Sequence, residues 1–220
     1  MRRARALCVL ATLSLWLMCF GARADEVERR TSMARFAFGV SLVGGSKLYG
    51  VGSRGRYETG AAQIEIDVVR VLRKPVGLEI GLSFLPPTMD TRELAYGRLQ
   101  GAMDFVLADW GGRRPGSLIA GLGAGFDVGR WWFSDPARGY GVGLLRGRLW
   151  LTRDVNAQLT GQAIPFGAKY GGWEQRYELA VAYGLLSFGV RFAYLSVKAG
   201  EPARWLGSHE VGVFVGVGVF

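Results

Sequence analysis

The chain has 220 residues, 34 of them glycine; half are apolar, 20% are charged, and the formal net charge is +9. Glycine stands at about twice its average share of ~7%, but glycine and proline together stay below the ~25–30% of low-complexity chains. The apolar half excludes a disordered polymer. Neither a Gly-X-Y repeat nor heptads are present, so collagen and long coiled coils are also excluded.

The first elements in chain order form an export signal. Arg2, Arg3 and Arg5 precede an apolar stretch from Ala6 to Phe20, and Ala22-Arg23-Ala24 offers a small-x-small site for cleavage before Asp25. The apolar stretch is shorter than the ~20 residues of a spanning helix, which weighs against a retained anchor. Cys19 follows Leu17-Met18 instead of a small residue, which weighs against a lipoprotein signal. Cleavage after residue 24 leaves 23 Lys plus Arg against 18 Asp plus Glu and removes both cysteines, Cys8 and Cys19. The mature chain then has no disulfide and no thiolate metal site.

From residue 34 onward one periodicity recurs. Phe36, Phe38, Val40 and Leu42 alternate with Arg35, Ala37, Gly39 and Ser41; Val76, Leu78, Ile80, Leu82 and Phe84 alternate with Gly77, Glu79, Gly81 and Ser83. Period two with one apolar face is a strand pattern. Ten such segments are expected, near 34–43, 60–71, 76–85, 93–107, 117–131, 141–151, 156–166, 175–185, 189–198 and 209–220. Connections after odd-numbered strands are mostly the longer ones, such as Gly44 to Thr59 and Ala199 to Ser208. Those after even-numbered strands are mostly short, such as Thr152 to Val155 and Leu186-Ser187-Phe188. The expected fold is all-β: an up-and-down antiparallel transmembrane β-barrel of ten strands, with eight as the alternative.

Period two alone does not say which face is inside. The faces opposite the apolar ones are dense in glycine and carry Glu65, Asp67, Glu79, Arg98, Asp104, Asp127, Arg146, Arg148, Glu178 and Arg191. A crowded polar interior fits that mixture better than an exposed surface does. Such charges would form a lumen network replacing a hydrophobic core. Aromatic residues gather beside the connections in the manner of interfacial girdles. Tyr49, Tyr57, Trp131, Trp132, Tyr140, Tyr170, Trp173 and Trp205 are at the long-loop end, and Trp110, Trp150 and Phe188 at the other.

The last segment, Val211 to Phe220, alternates and stops on phenylalanine. With the export signal, the ten segments and the loss of cysteine, it resembles the small bacterial outer-membrane β-barrel proteins, over residues 34–220. The resemblance implies that 1–24 is a signal peptide, 25–33 a short periplasmic segment and 34–220 the barrel domain. It also implies that Phe220 is the signal read by the barrel-assembly machinery and that the protein resides in the outer membrane. One departure stands out: the family usually carries a large hydrophobe third from the end, where this chain has Gly218. Phe220 shares its parity with Phe214, Gly216 and Gly218, and the valines take the other face.

No catalytic constellation is visible. His209 is the single histidine, and in Ser208-His209-Glu210 adjacent side chains alternate between faces, so these three do not make a triad. The glycines of Gly121 to Asp127 and Gly139 to Gly143 resemble nucleotide loops in spacing, but no helix follows them. No enzymatic activity, cofactor, metal or nucleic-acid partner is expected, and the chain is expected to be a monomer. Lys47, Arg54, Arg56, Arg138, Lys169 and Arg204 fall at the outer rim, where the phosphates of outer-membrane lipids, lipopolysaccharide included, are natural counter-ions. The expected function is a structural or surface-exposed barrel with a largely side-chain-filled polar lumen. The alternatives are a narrow pore for ions or small solutes, a secreted soluble barrel binding a hydrophobic ligand, and a lipid-modifying hydrolase.

Overall fold

The computed structural model describes residues 33–49, 53–73, 76–85, 96–128, 137–166, 172–199 and 204–219, with some side chains at strand ends lying outside the described set. The export signal and Phe220 lie outside these residues. The described chain forms ten strands: β1 (Met33–Tyr49), β2 (Ser53–Arg73), β3 (Val76–Leu85), β4 (Tyr96–Trp110), β5 (Gly116–Val128), β6 (Ala137–Trp150), β7 (Val155–Phe166), β8 (Gly172–Tyr183), β9 (Leu186–Ala199) and β10 (Arg204–Val219). Each strand pairs antiparallel with its sequence neighbours, and β1 pairs with β10 from Ala34↔Val219 to Gly45↔Ser208. The sheet is therefore closed, and no strand is left as an edge.

Alternation decides which side chains point inward. Along β10, Gly212, Phe214, Gly216 and Gly218 are buried, whereas Val211, Val213, Val215 and Val217 are exposed. Along β1, Arg35, Ala37 and Ser41 are buried, and Phe36, Phe38, Val40 and Leu42 face out. On β2 Ile64, Ile66 and Val68 are half-buried, and large apolar side chains are exposed on each of the remaining strands. Among the described residues the interior instead holds five buried arginines, the half-buried Arg191 and many carboxylates.

The strand boundaries depart from the sequence expectation mainly at the long-loop end. Gly44 to Thr59, expected as a loop, is a ladder: β1 and β2 remain paired as far as Tyr49↔Ser53. The β9–β10 ladder likewise runs out to Ala199↔Arg204. Glycine, serine and arginine mimic loop composition there, yet the backbone bonds of a ribbon need no apolar face. At the opposite end the turns are tight. The β8–β9 turn is Gly184-Leu185, not Leu186 to Phe188, and Gly184 at φ +56° supplies the left-handed conformation that a two-residue hairpin needs. In the β6–β7 turn, Thr152 Oγ1 accepts from the backbone N–H of Val155 at 3.1 Å. On β4 the pairing shifts between Val106 and Ala108, a bulge that resets the alternation and leaves Trp110 facing out.

Candidate functional site

The polar lumen is the one place where chemistry-bearing side chains converge among the described residues. All ten charges singled out from the sequence lie on inward positions, but they fall into separate clusters. Towards the long-loop end, Arg98 of β4 faces Asp127 of β5 directly across the ladder. Its Nε donates to Asp127 Oδ1 at 2.6 Å and its Nη2 to Asp127 Oδ2 at 2.9 Å. The same guanidinium reaches Glu174 of β8, with Nη2 donating to Oε2 at 2.9 Å, and Arg176 Nε donates to Glu174 Oε1 at 2.5 Å. β4 and β8 stand four places apart round the ring, close to a diameter, so this pair crosses the lumen. Tyr140, expected at the rim, is buried here with its ring 5.0 Å from the Arg98 guanidinium carbon.

A second cluster joins β1, β2, β8, β9 and β10. Arg35 Nη2 donates to Asp67 Oδ2 at 2.6 Å, and its Nη1 donates to Glu178 Oε1 at 2.5 Å. Arg191 donates to both Glu65 and Glu178. Phe214 offers its ring to both arginines, 4.7 Å from the Arg35 guanidinium carbon and 5.6 Å from that of Arg191, within the range of cation–π attraction. Glu65 and Glu178 each meet both arginines and Asp67 pairs with Arg35, which is how charges survive removal from water.

The third cluster lies towards the tight turns. Arg146 Nη2 donates to Glu79 Oε2 at 2.8 Å, and Arg148 Nη2 donates to Gln158 Oε1 at 3.0 Å. Asp104 is buried in the same region, and among the described residues neither of its carboxylate oxygens has a hydrogen-bond partner. Arg146 Nε and Nη1 are likewise unpartnered. Donors and acceptors left over on facing side chains are the usual setting for bridging water.

Several lumen residues were not singled out from the sequence. Arg35 alternates with Phe36 and Phe38, so its parity was available. Glu174 and Arg176 sit at the start of β8, which begins at Gly172 and not at residue 175. The remaining expectations place differently. Trp110 and Trp173 are 44% and 39% exposed on the outer surface, the latter with its ring 5.4 Å from that of Tyr194. Trp150 shares the inward parity of Arg146 and Arg148 and is half-buried. Trp131, Trp132, Tyr170, Lys169 and Phe220 lie outside the described residues. Lys47, Arg54, Arg56, Arg138 and Arg204 belong to strands and not to loops. Their side chains, and those of Tyr49, Tyr57 and Trp205, lie outside the described set. Ser208 and Glu210 are on inner positions, with Ser41 Oγ donating to Glu210 Oε1 at 2.8 Å, while His209 faces out. No group of His, Cys, Asp and Glu among the described residues is arranged to hold a metal.

No protein-family model and no curated protein matches the chain. Solved structures do resemble it. The translocator domain of the autotransporter NalP from Neisseria meningitidis aligns over 98% of this chain and 97% of its own, at 13% identity and a TM-score of 0.36. The NanC porin aligns over 83% and 98%, at 12% identity and a TM-score of 0.35. Neisserial surface protein A aligns over 84% and 97%, at 9% identity and a TM-score of 0.28. Scores this low leave the fold resting on the chain's own closed strand pairing.

Proposed function

We propose that the chain is a small integral outer-membrane β-barrel, structural or surface-exposed in role, with no enzymatic activity. The inverted polarity of the wall carries this reading: Phe38, Leu42 and Val213 are 51%, 71% and 55% exposed, while Arg98, Glu79 and Asp127 are each 2% exposed. Soluble monomers rarely leave contiguous apolar patches larger than a few hundred Å² in water. In hydrocarbon the same surface needs no cover, and closure satisfies every backbone group. On β9 the outward apolar run from Leu186 to Tyr194 extends about 27 Å along the strand, or about 21 Å along the axis at a tilt of about 40°, near the ~25 Å belt of such barrels.

A soluble barrel holding a hydrophobic ligand would need an apolar cavity, whereas the lumen cavity between Arg35 and Arg146 is lined mostly by charged and amide side chains. The decisive experiment is membrane fractionation followed by electrophoresis with and without boiling. The barrel is expected to stay with the outer membrane through carbonate washing and to migrate faster unboiled; release by carbonate would remove the membrane reading.

Outer-membrane lipids and the assembly machinery are the proposed partners, the first through the basic residues near the outer rim and the second through Phe220. Replacing Arg54 and Arg56 by Gln is expected to lower the lipopolysaccharide retained through detergent purification. Retention equal to that of the parent would count against the contact.

A further inference from the structure

Two of the short turns carry charge that the barrel itself does not use. Arg113 and Arg114 lie between β4 and β5, and Arg153 lies between β6 and β7; all three are exposed and pair with no carboxylate among the described residues. The two turns stand side by side, because β5 and β6 are neighbours and the Trp150 N–H donates to the Pro115 carbonyl at 2.8 Å. Of the acids there, Asp109 sits opposite Ser117 on the β4–β5 ladder, and Asp154 lies towards β8, its carbonyl accepting from the Gly184 N–H at 3.0 Å. The β8–β9 turn, Gly184-Leu185, has no charge. Gly112, at φ +92°, shapes the first turn, and a Cβ on it or on Gly111 would meet nothing within 4 Å. A ligand therefore has open access to the backbone beside Arg113.

The wall next to these turns ties their charge to the membrane surface. Outward apolar side chains of β4 run from Leu99 through Met103, Phe105 and Leu107 to Trp110, and the bulge after Val106 is what keeps Trp110 on that face. Its ring lies over Gly116, where a Cβ would strike it, so the indole is held in place. Leu151 is exposed at the head of the neighbouring turn. Arg113 is three residues past Trp110, at most about 10 Å of chain, and the headgroup region takes up about 5–8 Å on each side of the hydrocarbon. An indole at the boundary thus sets the guanidiniums among the phosphates.

We propose that these two turns form a docking surface for anionic phospholipid headgroups of the periplasmic leaflet, with Arg113, Arg114 and Arg153 on the phosphodiesters and Trp110 and Leu151 at the acyl boundary. The inference rests on the outer-membrane reading above, which puts the short turns in the periplasm, and it is separate from the outer-rim contact with lipopolysaccharide. Guanidinium groups bind phosphate oxygens in pairs. An anionic headgroup carries a net charge that a zwitterionic one lacks, so the surface prefers the former.

The test uses the refolded mature chain in phosphatidylcholine vesicles. Residues 25–220 have no cysteine, so Gly111→Cys takes a single nitrobenzoxadiazole reporter, and Leu185→Cys on the uncharged turn takes a reference one. Phosphatidylglycerol or phosphatidylcholine bearing a doxyl quencher on the acyl chain is added at equal mole fraction in dilute salt. At position 111 the anionic lipid is expected to quench at least twofold more than the zwitterionic one, and at position 185 the two are expected to quench alike. Arg113→Gln, Arg114→Gln and Arg153→Gln together are expected to bring the ratio at 111 to one, and concentrated salt to lower it as screening tightens. Equal quenching at 111 in the parent, an excess that survives the three substitutions or the salt, or the same excess at 185 would overturn the proposal. If the triple variant loses its unboiled gel shift, Arg113→Gln with Arg114→Gln is read instead: it is expected to remove at least half of the excess, and an undiminished ratio is equally fatal. A parent that keeps its gel shift while both lipids quench alike sinks the headgroup contact and leaves the membrane reading standing.

Discussion

Arg98 shows how single residues hold this protein together. Its side chain is 1% exposed and faces two carboxylates, to which it makes four N–H donations in place of water. Removing one partner of such a group leaves the others charged and dry, at a cost of about 3–5 kcal/mol. Arg98→Met is therefore expected to lower the unfolding free energy of the refolded barrel by about that amount in urea titrations. Adding Asp127→Asn and Glu174→Gln should recover part of the loss. An unchanged midpoint for Arg98→Met would show that the arginine contributes little. A second contrast concerns glycine. A Cβ on Gly189 would run into the Phe214 ring, whereas one on Gly143 would meet nothing closer than 3.9 Å. Gly189→Val is expected to destabilise by about 1–3 kcal/mol, as overpacking does, and Gly143→Val to stay within about 0.5 kcal/mol. Equal effects would contradict the packing of Phe214.

At the scale of elements, each outward position of a strand is a test of what surrounds it. Val213, in the middle of the exposed valine row of β10, is expected to cost about 2–4 kcal/mol when replaced by Arg in lipid vesicles; a gain in stability would mean that this face meets water. The strand count and the inner and outer faces were legible because period two persists through glycine-rich segments such as β5 and β10, where parity matters more than hydrophobicity. Strand ends were not. The outer ladder of β1 and β2 is held by backbone bonds, which composition does not encode, and the same error at the start of β8 hid Glu174. Period two also conceals its own interruptions: counted evenly from Asp104, Trp110 points inward, and only the bulge after Val106 turns it out. Which arginine meets which carboxylate was out of reach, since Arg98 and Glu174 are 76 residues apart in sequence and no periodicity relates β4 to β8.

For the whole molecule, the charged clusters act as struts across the ring, and beside them a small apolar cluster among the described residues unites Ala37, Ala180 and Phe214. Truncation before Val211 is expected to abolish the unboiled gel shift entirely, since it strips β1 and β9 of their shared neighbour; a truncated chain that still shifted would show that the wall closes another way. That seam between the first and last strands has a kinetic consequence. It joins Ala34 to Val219, nearly the full span of the chain, and bringing such distant points together costs about 4–5 kcal/mol of chain entropy beyond a constant. Every other pairing is between sequence neighbours, so hairpins can form one after another while β1 waits for a partner that is synthesised last. Folding of this barrel should therefore be governed by its most distant contact and not by its average one. Arg35, whose guanidinium reaches from β1 to Glu178 on β8, then locks the ring only once the final strand has arrived.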